Sequence, residues 1–512
     1  MVGEVYNGCM RKYSPLLAAT SLLALLSGCG GGGGGSSPTA SAQPATPQPT
    51  QPNSPPVSTA SDWQTLANRC ENPRPGTADV RGSLTDELNW VRLFFADTYL
   101  WYRELPTNLR LENYSRPVDF FAAYKSSAVT ASGLPKDRFH FTYPTATWDA
   151  LSSSGTEVGY GLTWTTNADQ SVWTVATVVP SSPAALAGVR RGDGLLSVDG
   201  VPLTDNSGAS VNRINAGLFP STAGQTHQLA LTRAGAPLTV SLTAREVASP
   251  PVQNVKTIDT PTGKVGYLQF DDHTGLSESE LVKAFTTLKA ANVADLVLDM
   301  RYNGGGYLAV ASELAYMIAG PDAVGGKVFA RLQYNDKIPA GSPQSFMDKA
   351  YGLDGSQLAA GTALPTLALK RVTILTTSGT CSASEAVING LRGIDVEVNL
   401  IGGETCGKPY SFVPADNCGT TYFAVQAQAT NNKGFGDYAD GFQPTCRAAD
   451  DLGHALGDTA ERLLSTALSY RANGMCPAQP AMNRARSATA TAASGAMKLV
   501  RPQAKEIAIG NR

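Results

Sequence analysis

Two stretches of the chain carry residue types that together could break a bond: "SGTCSASEAVINGLRG" at 378–393 and "GGETCGKPY" at 402–410. In the first, Ser382 follows the strand-like run "RVTILTT" (371–377) and begins what reads as a helix. A serine at a strand-to-helix turn is presented outward, beside helix N-terminal amides that favour a developing negative charge. In the second, Lys408 sits in a glycine-rich turn after another apolar run, "EVNLIGG". A lysine that has shed its proton can serve as general base for a serine. Ser382-x-x-Glu385 is also an ordinary capping box, the way many helices begin. The serine alone therefore identifies nothing.

A third turn, "DMRYNGGG" (299–306), ends a strand and offers free amides for an oxyanion hole. The rival bases are the four histidines, 140, 227, 273 and 454. None sits in a strong motif, but His273 in "FDDHTG" and His454 in "DDLGHALGD" keep a serine–histidine hydrolase in view. The G-x-S-x-G elbow of such hydrolases is missing. Residues 402–408 satisfy G-x-x-x-x-G-K, the start of a phosphate loop, but Pro409 stands where that loop needs Ser or Thr for magnesium. No C-x2-C pair and no suitable histidine spacing argue for a metal, so neither metal nor cofactor is expected.

These turns need elements to hold them. Residues 252–475 alternate near-continuous apolar strands ("KVGYLQF", "ADLVLDM", "RVTILTT") with amphipathic helices. That pattern argues an α/β layer domain, whose sites tend to lie at the C-terminal ends of strands. All three turns fall at such ends. Residues 155–248 change to short alternating strands around one helix. There, "AGVRRGDGLLSVDGVPL" (187–203) is similar to the PDZ signature, and Gly159, Tyr160, Gly161 and Leu162 stand where that family has its carboxylate-binding loop. A PDZ groove captures an extended peptide by adding it as a strand. In residues 61–150, Leu88, Val91, Leu93, Phe94, Tyr99 and Leu100 recur at helical spacings and predict a small helical domain with an aromatic core.

The ends read differently. "MRKYSPLLAATSLLALLSGC" (10–29) has a basic start, a short apolar run and small residues, as an export signal does. Its ending Leu26-Ser27-Gly28-Cys29 resembles the bacterial lipoprotein signal, which implies lipidation of Cys29, and residues 1–9 read as an upstream extension. Residues 30–60 form a Gly/Pro/Ser-rich linker and 477–512 an expected disordered tail. The net charge of −2, with acids and bases mixed along the chain, excludes a nucleic-acid surface. Six cysteines remain after Cys9 and Cys29, an even number that favours disulfides in an exported protein and allows fifteen pairings.

"CSASEAVINGLRG", then "GETCGK" ending 26 residues after Ser382, closely resembles the C-terminal processing (tail-specific) peptidases, serine–lysine enzymes with a PDZ domain. "LVLDMRYNGGG" (296–306) is similar to their D-L-R-x-N-P-G-G segment, and the resemblance spans roughly 155–475. It implies a multidomain α/β fold: a small helical N-terminal domain, a β-rich PDZ domain and a layered ClpP/crotonase-like peptidase core. It also implies Ser382 as nucleophile, Lys408 as general base, and the amides of Ala383 and Gly305 as the oxyanion hole. The lysine must then work uncharged, its pKa brought from about 10.4 to near 7–8, a change on the order of 4 kcal/mol. Several relatives carry Gln four residues after the lysine, where this chain has Phe412, so Tyr410 and Ser411 become the candidate orienting groups. Cys381 and Cys406 flank the two catalytic segments, and a disulfide between them would fix the Ser–Lys spacing. The expected protein is an exported, lipid-anchored endopeptidase of the bacterial cell envelope, with protein or peptide substrates taken by their C-terminal tails. It would touch the membrane only through its anchor. The other reading is an inactive peptide-binding or scaffold lipoprotein of the same fold.

Overall fold

The computed structural model describes residues 62–167, 171–353, 355, 357–478 and the two-residue strand Ala508–Ile509. The signal, the linker and Cys29 lie outside the described residues. No helix among them is long and apolar enough to cross a membrane.

The alternation of apolar strands and helices builds a six-stranded sheet in the order Val252–Ile258, Val265–Phe270, Asp295–Asp299, Arg371–Thr376, Glu397–Gly402 and Cys446–Arg447. The first pair is antiparallel and the rest run parallel. Both faces are buried, which is why the strands read as unbroken apolar runs. Successive side chains take opposite faces. Leu268, Leu296, Leu298, Val372, Ile374 and Leu400 meet the helices Gly275–Ala290, Leu308–Val324 and Ala383–Gly393. Val265, Tyr267, Val297, Leu375 and Ile401 meet Leu463, Leu464 and Ala467 of the helix Arg462–Asn473. Truncating a fully buried member such as Phe285 to alanine would cost about 3–5 kcal/mol.

The PDZ region forms its own sheet in the order Ala236–Thr243, Thr226–Arg233, Gly194–Val198, Trp173–Val178 and Leu162–Thr166, with Val201–Pro202 beside the third. Its core gathers Trp164, Trp173, Val198, Ile214 and Leu229. The Leu162–Thr166 strand ends the sheet and so presents, among the described residues, an open edge.

The helix expected in the N-terminal segment forms over Leu84–Thr98, where the Ser83 hydroxyl accepts the Asp86 N–H at 3.2 Å. Leu88, Val91, Phe94 and Tyr99 are buried as the spacing predicts, while Leu93 and Leu100 are half-buried. The segment does not close a core of its own, however. Its aromatic face is completed by Tyr410, Phe412, Tyr422 and Phe423. Its strand Phe141–Pro144 pairs antiparallel with Thr420–Phe423, and a disulfide joins Cys70 to Cys418. Helical spacing shows which residues seek cover but not what covers them. Of the tail for which disorder is expected, residues 479–507 and 510–512 lie outside the described residues.

Candidate active site

The Arg371–Thr376 strand delivers the chain into the turn that carries Ser382. The turn is bolted to the neighbouring 299–306 loop: Thr380 Oγ1 donates to Met300 O at 2.9 Å, Cys381 N to Asn303 O at 3.0 Å and Ser384 Oγ to Asn303 O at 3.0 Å. Gly379 approaches Arg301 O so closely that an added Cβ would lie 3.0 Å from it. Ser382 takes φ 61° and ψ −112° immediately before the helix. A non-glycine residue held there costs of order 1–3 kcal/mol, strain typical of sites where a side chain must be aimed. Its Oγ is buried and has no hydrogen-bond partner among the described residues. Ala383 opens the helix, where main-chain N–H groups lack helical acceptors.

Lys408 enters from the turn after the Glu397–Gly402 strand. Gly407 has φ +82° and lies where a Cβ would meet Ala439 O at 2.4 Å, so no larger residue fits. Arg138, from the N-terminal segment, donates to the carbonyls of Cys406 (3.0 Å) and Ala439 (2.9 Å) and fixes that turn from outside. Lys408 is 1% exposed. Its Nζ lies 4.1 Å from the centroid of the Phe412 ring and 5.3 Å from that of Phe139.

Glu385 joins the two segments. Fully buried, it accepts the N–H groups of Ser382 (3.0 Å), Gly407 (2.9 Å) and Lys408 (2.8 Å), and the Thr405 hydroxyl at 2.5 Å. Burial pushes its carboxyl up, against the pull of those donors. The disulfide Cys381–Cys406, with its Cα atoms 5.1 Å apart, crosses the same gap. The other pairs are Cys70–Cys418 and Cys446–Cys476, so all six cysteines counted for an exported chain are bridged. Cys381, Glu385 and Cys406 converge as metal ligands do, but both sulfurs are spent on each other. A cavity of about 600 Å³ opens beside this turn, bordered by Arg138, Phe139, Ser378 and Cys406.

The glycine turn is set by Asn303. Its Oδ1 accepts the Gly305 N–H at 3.0 Å and faces His273 Nδ1 at 3.0 Å, and its Nδ2 donates to Phe270 O at 3.0 Å. The Gly305 amide named from the sequence therefore already has an acceptor in this structure. His273 is wholly buried, and burial pushes its imidazole down to about 3. His454 pairs instead with Asp451 at 2.8 Å. Tyr410 is buried against Trp101 and Phe139, which pushes its phenol up to about 12, and Ser411 O accepts the Gln426 N–H at 3.1 Å. The Lys408 amine lies over the rings of Phe412 and Phe139. Glu385 was visible only as a capping residue. Arg138 and Phe139 gave no signal, since their role comes from a contact about 270 positions along the chain.

In the PDZ loop, Tyr160 turns inward and its hydroxyl donates to Gly217 O at 3.0 Å. Gly161 has φ 73°, and a Cβ there would strike Ser182. The loop leads straight into the open Leu162–Thr166 edge. Arg191 ties this region to the core by donating to Tyr302 Oη at 2.6 Å and to Asp450 Oδ1 at 2.7 Å. Asp450 also receives Arg301 at 2.8 Å, and Arg301 is itself clasped by Asp299 and Glu461.

Residues 264–445 match the model of peptidase family S41, 174–210 that of a PDZ domain and 86–139 that of the peptidase S41 N-terminal domain. The chain is 30% identical over 270 residues to the chloroplastic C-terminal processing peptidase of Tetradesmus obliquus, covering 50% of this chain and 52% of that protein. It is 30% identical over 168 residues to the carboxyl-terminal-processing protease of a Picosynechococcus species, covering 32% and 39%. It thus spans about half the length, or less, of these curated relatives. A Bacteroides fragilis protein assigned to the S41 proteases superposes with a TM-score of 0.57 at 26% identity, covering 75% of this chain and 97% of that one.

Proposed function

With residues 264–445 belonging to peptidase family S41 and a PDZ domain preceding them, we propose that this protein is a serine endopeptidase in which Ser382 attacks and Lys408 is the general base. The observation that carries the reading is the double tie between the two segments, the Glu385 carboxylate and the Cys381–Cys406 bridge. It ties the main chain of a strained, buried serine to that of a buried lysine, on turns that follow adjacent parallel strands.

In the reaction, the uncharged Lys408 amine takes the Ser382 proton as Oγ bonds to the carbonyl carbon. The oxyanion forms against the Ala383 N–H and an amide of the 304–306 turn. The C–N bond then breaks, and the ammonium returns the proton to the leaving amine. Lys408 next draws a proton from water, which attacks the acyl ester and frees the acid and the serine. Phe139 and Phe412 keep bulk water from the amine between these steps.

The PDZ edge would take an extended segment, with the Gly159–Leu162 loop amides holding a terminal carboxylate, so substrates are proteins entered through their tails. Three disulfides support an oxidising compartment, and the 10–29 segment supports export with a lipid anchor at Cys29 in the cell envelope. The inactive-scaffold reading draws on Phe412, an apolar ring against the amine where several relatives place Gln. Cleavage of casein across pH 6 to 9 by the unsubstituted chain, lost in both Ser382→Ala and Lys408→Ala, is the expected result. No cleavage by the unsubstituted chain would give the scaffold reading the field.

A further inference from the structure

We propose that Asp137 is a positioning residue for the site: through the two residues that follow it, Arg138 and Phe139, it sets the place of Lys408 from the N-terminal segment. This rests on the serine–lysine reading and extends it to a part of the chain that supplies no reacting atom.

The stretch "PKDRFHFTYP" (135–144) puts a carboxylate, a cation, an aromatic ring and an imidazole in a row. Asp137 is wholly buried, and donors surround its carboxylate. Oδ1 accepts the N–H groups of Phe139 (3.2 Å) and His140 (3.3 Å), which closes the chain into a turn. Oδ2 accepts the Tyr99 hydroxyl at 2.6 Å and lies 2.9 Å from His140 Nδ1. Tyr99 is fixed in turn, its oxygen accepting the Ser126 N–H at 3.1 Å. Burial would push the Asp137 carboxyl up, but His140, Tyr99 and the Phe139 amide hold it down at about 2. The turn is built around a standing negative charge.

The two side chains that this turn presents are those that meet the lysine segment. Arg138 donates from Nη2 to the carbonyls of Cys406, Gly407 (3.4 Å) and Ala439. Gly407 O and Lys408 N belong to one peptide group, whose N–H is held by Glu385 at 2.8 Å. That group is therefore gripped at both ends, by a carboxylate of the serine segment and by a guanidinium of the N-terminal segment. Phe139, next along, places its ring 5.3 Å from Lys408 Nζ and 5.9 Å from the ring of Tyr410. Arg138 and Phe139 also stack, with Cζ 4.4 Å from the ring centroid, so a shift of one displaces the other. A turn without its carboxylate would release both grips at once. The turn is anchored to the core by the Phe141–Pro144 strand, which begins directly after His140, and by the Cys70–Cys418 bridge.

The test uses the full, disulfide-bonded chain. In a Ser382→Ala background, lysines are methylated with formaldehyde and cyanoborohydride at pH 8, and the rate at each lysine is read by mass spectrometry. Asp137→Asn keeps the side-chain volume but removes the charge and turns an amide NH2 toward donors. Its Lys408 should be methylated at least about fivefold faster than in the parent, as local opening exposes the amine. Lys256, half-buried on the central sheet and donating to Gly457 O at 2.8 Å, should keep the parent rate. With Ser382 intact, kcat on casein should fall at least about tenfold with KM within about threefold, as misplacement of a reacting group requires. Tyr99→Phe removes only a hydroxyl, and should move both readouts the same way by about two- to threefold. That milder variant decides the matter if the Asn variant does not fold. Methylation of Lys408 at the parent rate overturns the proposal, whatever the activity. Acceleration of Lys408 and Lys256 together overturns it too, since Asp137 would then hold only the fold. Faster methylation of Lys408 alone, in a chain that cleaves nothing with Ser382 intact, would uphold the placement and sink only the serine–lysine reading.

Discussion

Oε2 of Glu385 lies 2.8 Å from the amide nitrogen of Lys408, and the same oxygen accepts the Ser382 N–H at 3.0 Å. One carboxylate atom thus fixes the main chain on both sides of the proposed dyad. Glu385→Ala would leave three buried N–H groups without an acceptor, at about 1–3 kcal/mol each. Glu385→Gln keeps the volume but turns an amide NH2 toward donors. The expected outcome for Gln is a kcat at least about 100-fold lower, KM within about threefold, and an unchanged far-ultraviolet spectrum. A Gln variant with kcat within twofold of the parent would show that the tie is dispensable.

The Cys381–Cys406 bridge closes a loop with a sequence separation of 25 residues, which by chain entropy contributes about 3–4 kcal/mol. Cys406 borders the open cavity, so a small dithiol can reach it. Replacing both cysteines by serine should lower Tm by several degrees and kcat by at least tenfold, because Glu385 alone must then hold the spacing. A double variant with full kcat would confine the bridge to a stabilising role.

Much of this was legible beforehand, for physical reasons that can be named. The central sheet was readable because burial on both faces leaves strands such as "LVLDM" uninterrupted by polar residues. The pairing of Cys381 with Cys406 was readable because each cysteine adjoins a segment that the resemblance already brought together. What stayed hidden depends on contacts distant in sequence. Arg138 and Phe139 meet the lysine turn only after the N-terminal segment has packed its aromatics on Tyr422 and Phe423. The acceptor of the Gly305 N–H is likewise invisible in a glycine-rich turn, because it comes from the side chain two residues earlier, Asn303.

Arg191 links the PDZ region to the peptidase core at a telling point. Its guanidinium reaches Tyr302, the residue before Asn303, as well as Asp450 and the carbonyl of Ala176 at 2.6 Å. Arg191→Ala should therefore loosen the 299–306 turn as well as the domain contact. The expected effect is a kcat about tenfold lower even on peptides too short to engage the PDZ edge, with a stability loss of about 1–3 kcal/mol. Lysine should not rescue it, since one ammonium cannot reproduce the planar fork. Loss confined to long, tailed substrates would mean that Arg191 serves docking alone.

His273 supplies a prediction in pH. It is buried beneath the glycine turn, packed on Phe270 at 4.6 Å between ring centroids, and burial holds its imidazole down at about 3. An unfolded histidine titrates near 6.5. Below that value the unfolded chain binds a proton that the folded chain refuses until about pH 3. The stability tied to this residue is thus fully present above about 6.5 and falls as pH drops toward 3, by at most about 1.4 kcal/mol per pH unit. Urea unfolding of the parent and of His273→Asn, compared at pH 7 and pH 4, should show the parent's advantage shrinking by roughly 2–3 kcal/mol. An advantage constant over that range would mean that the imidazole is charged, or open to water, in the folded protein. The same neutrality bears on mechanism: a histidine already unprotonated at pH 5 places no ascending limb in the rate profile above that pH. An ascending limb between pH 6 and 9 that survives His273→Asn and vanishes with Lys408→Ala would assign it to the amine. The reverse pattern would restore the serine–histidine alternative.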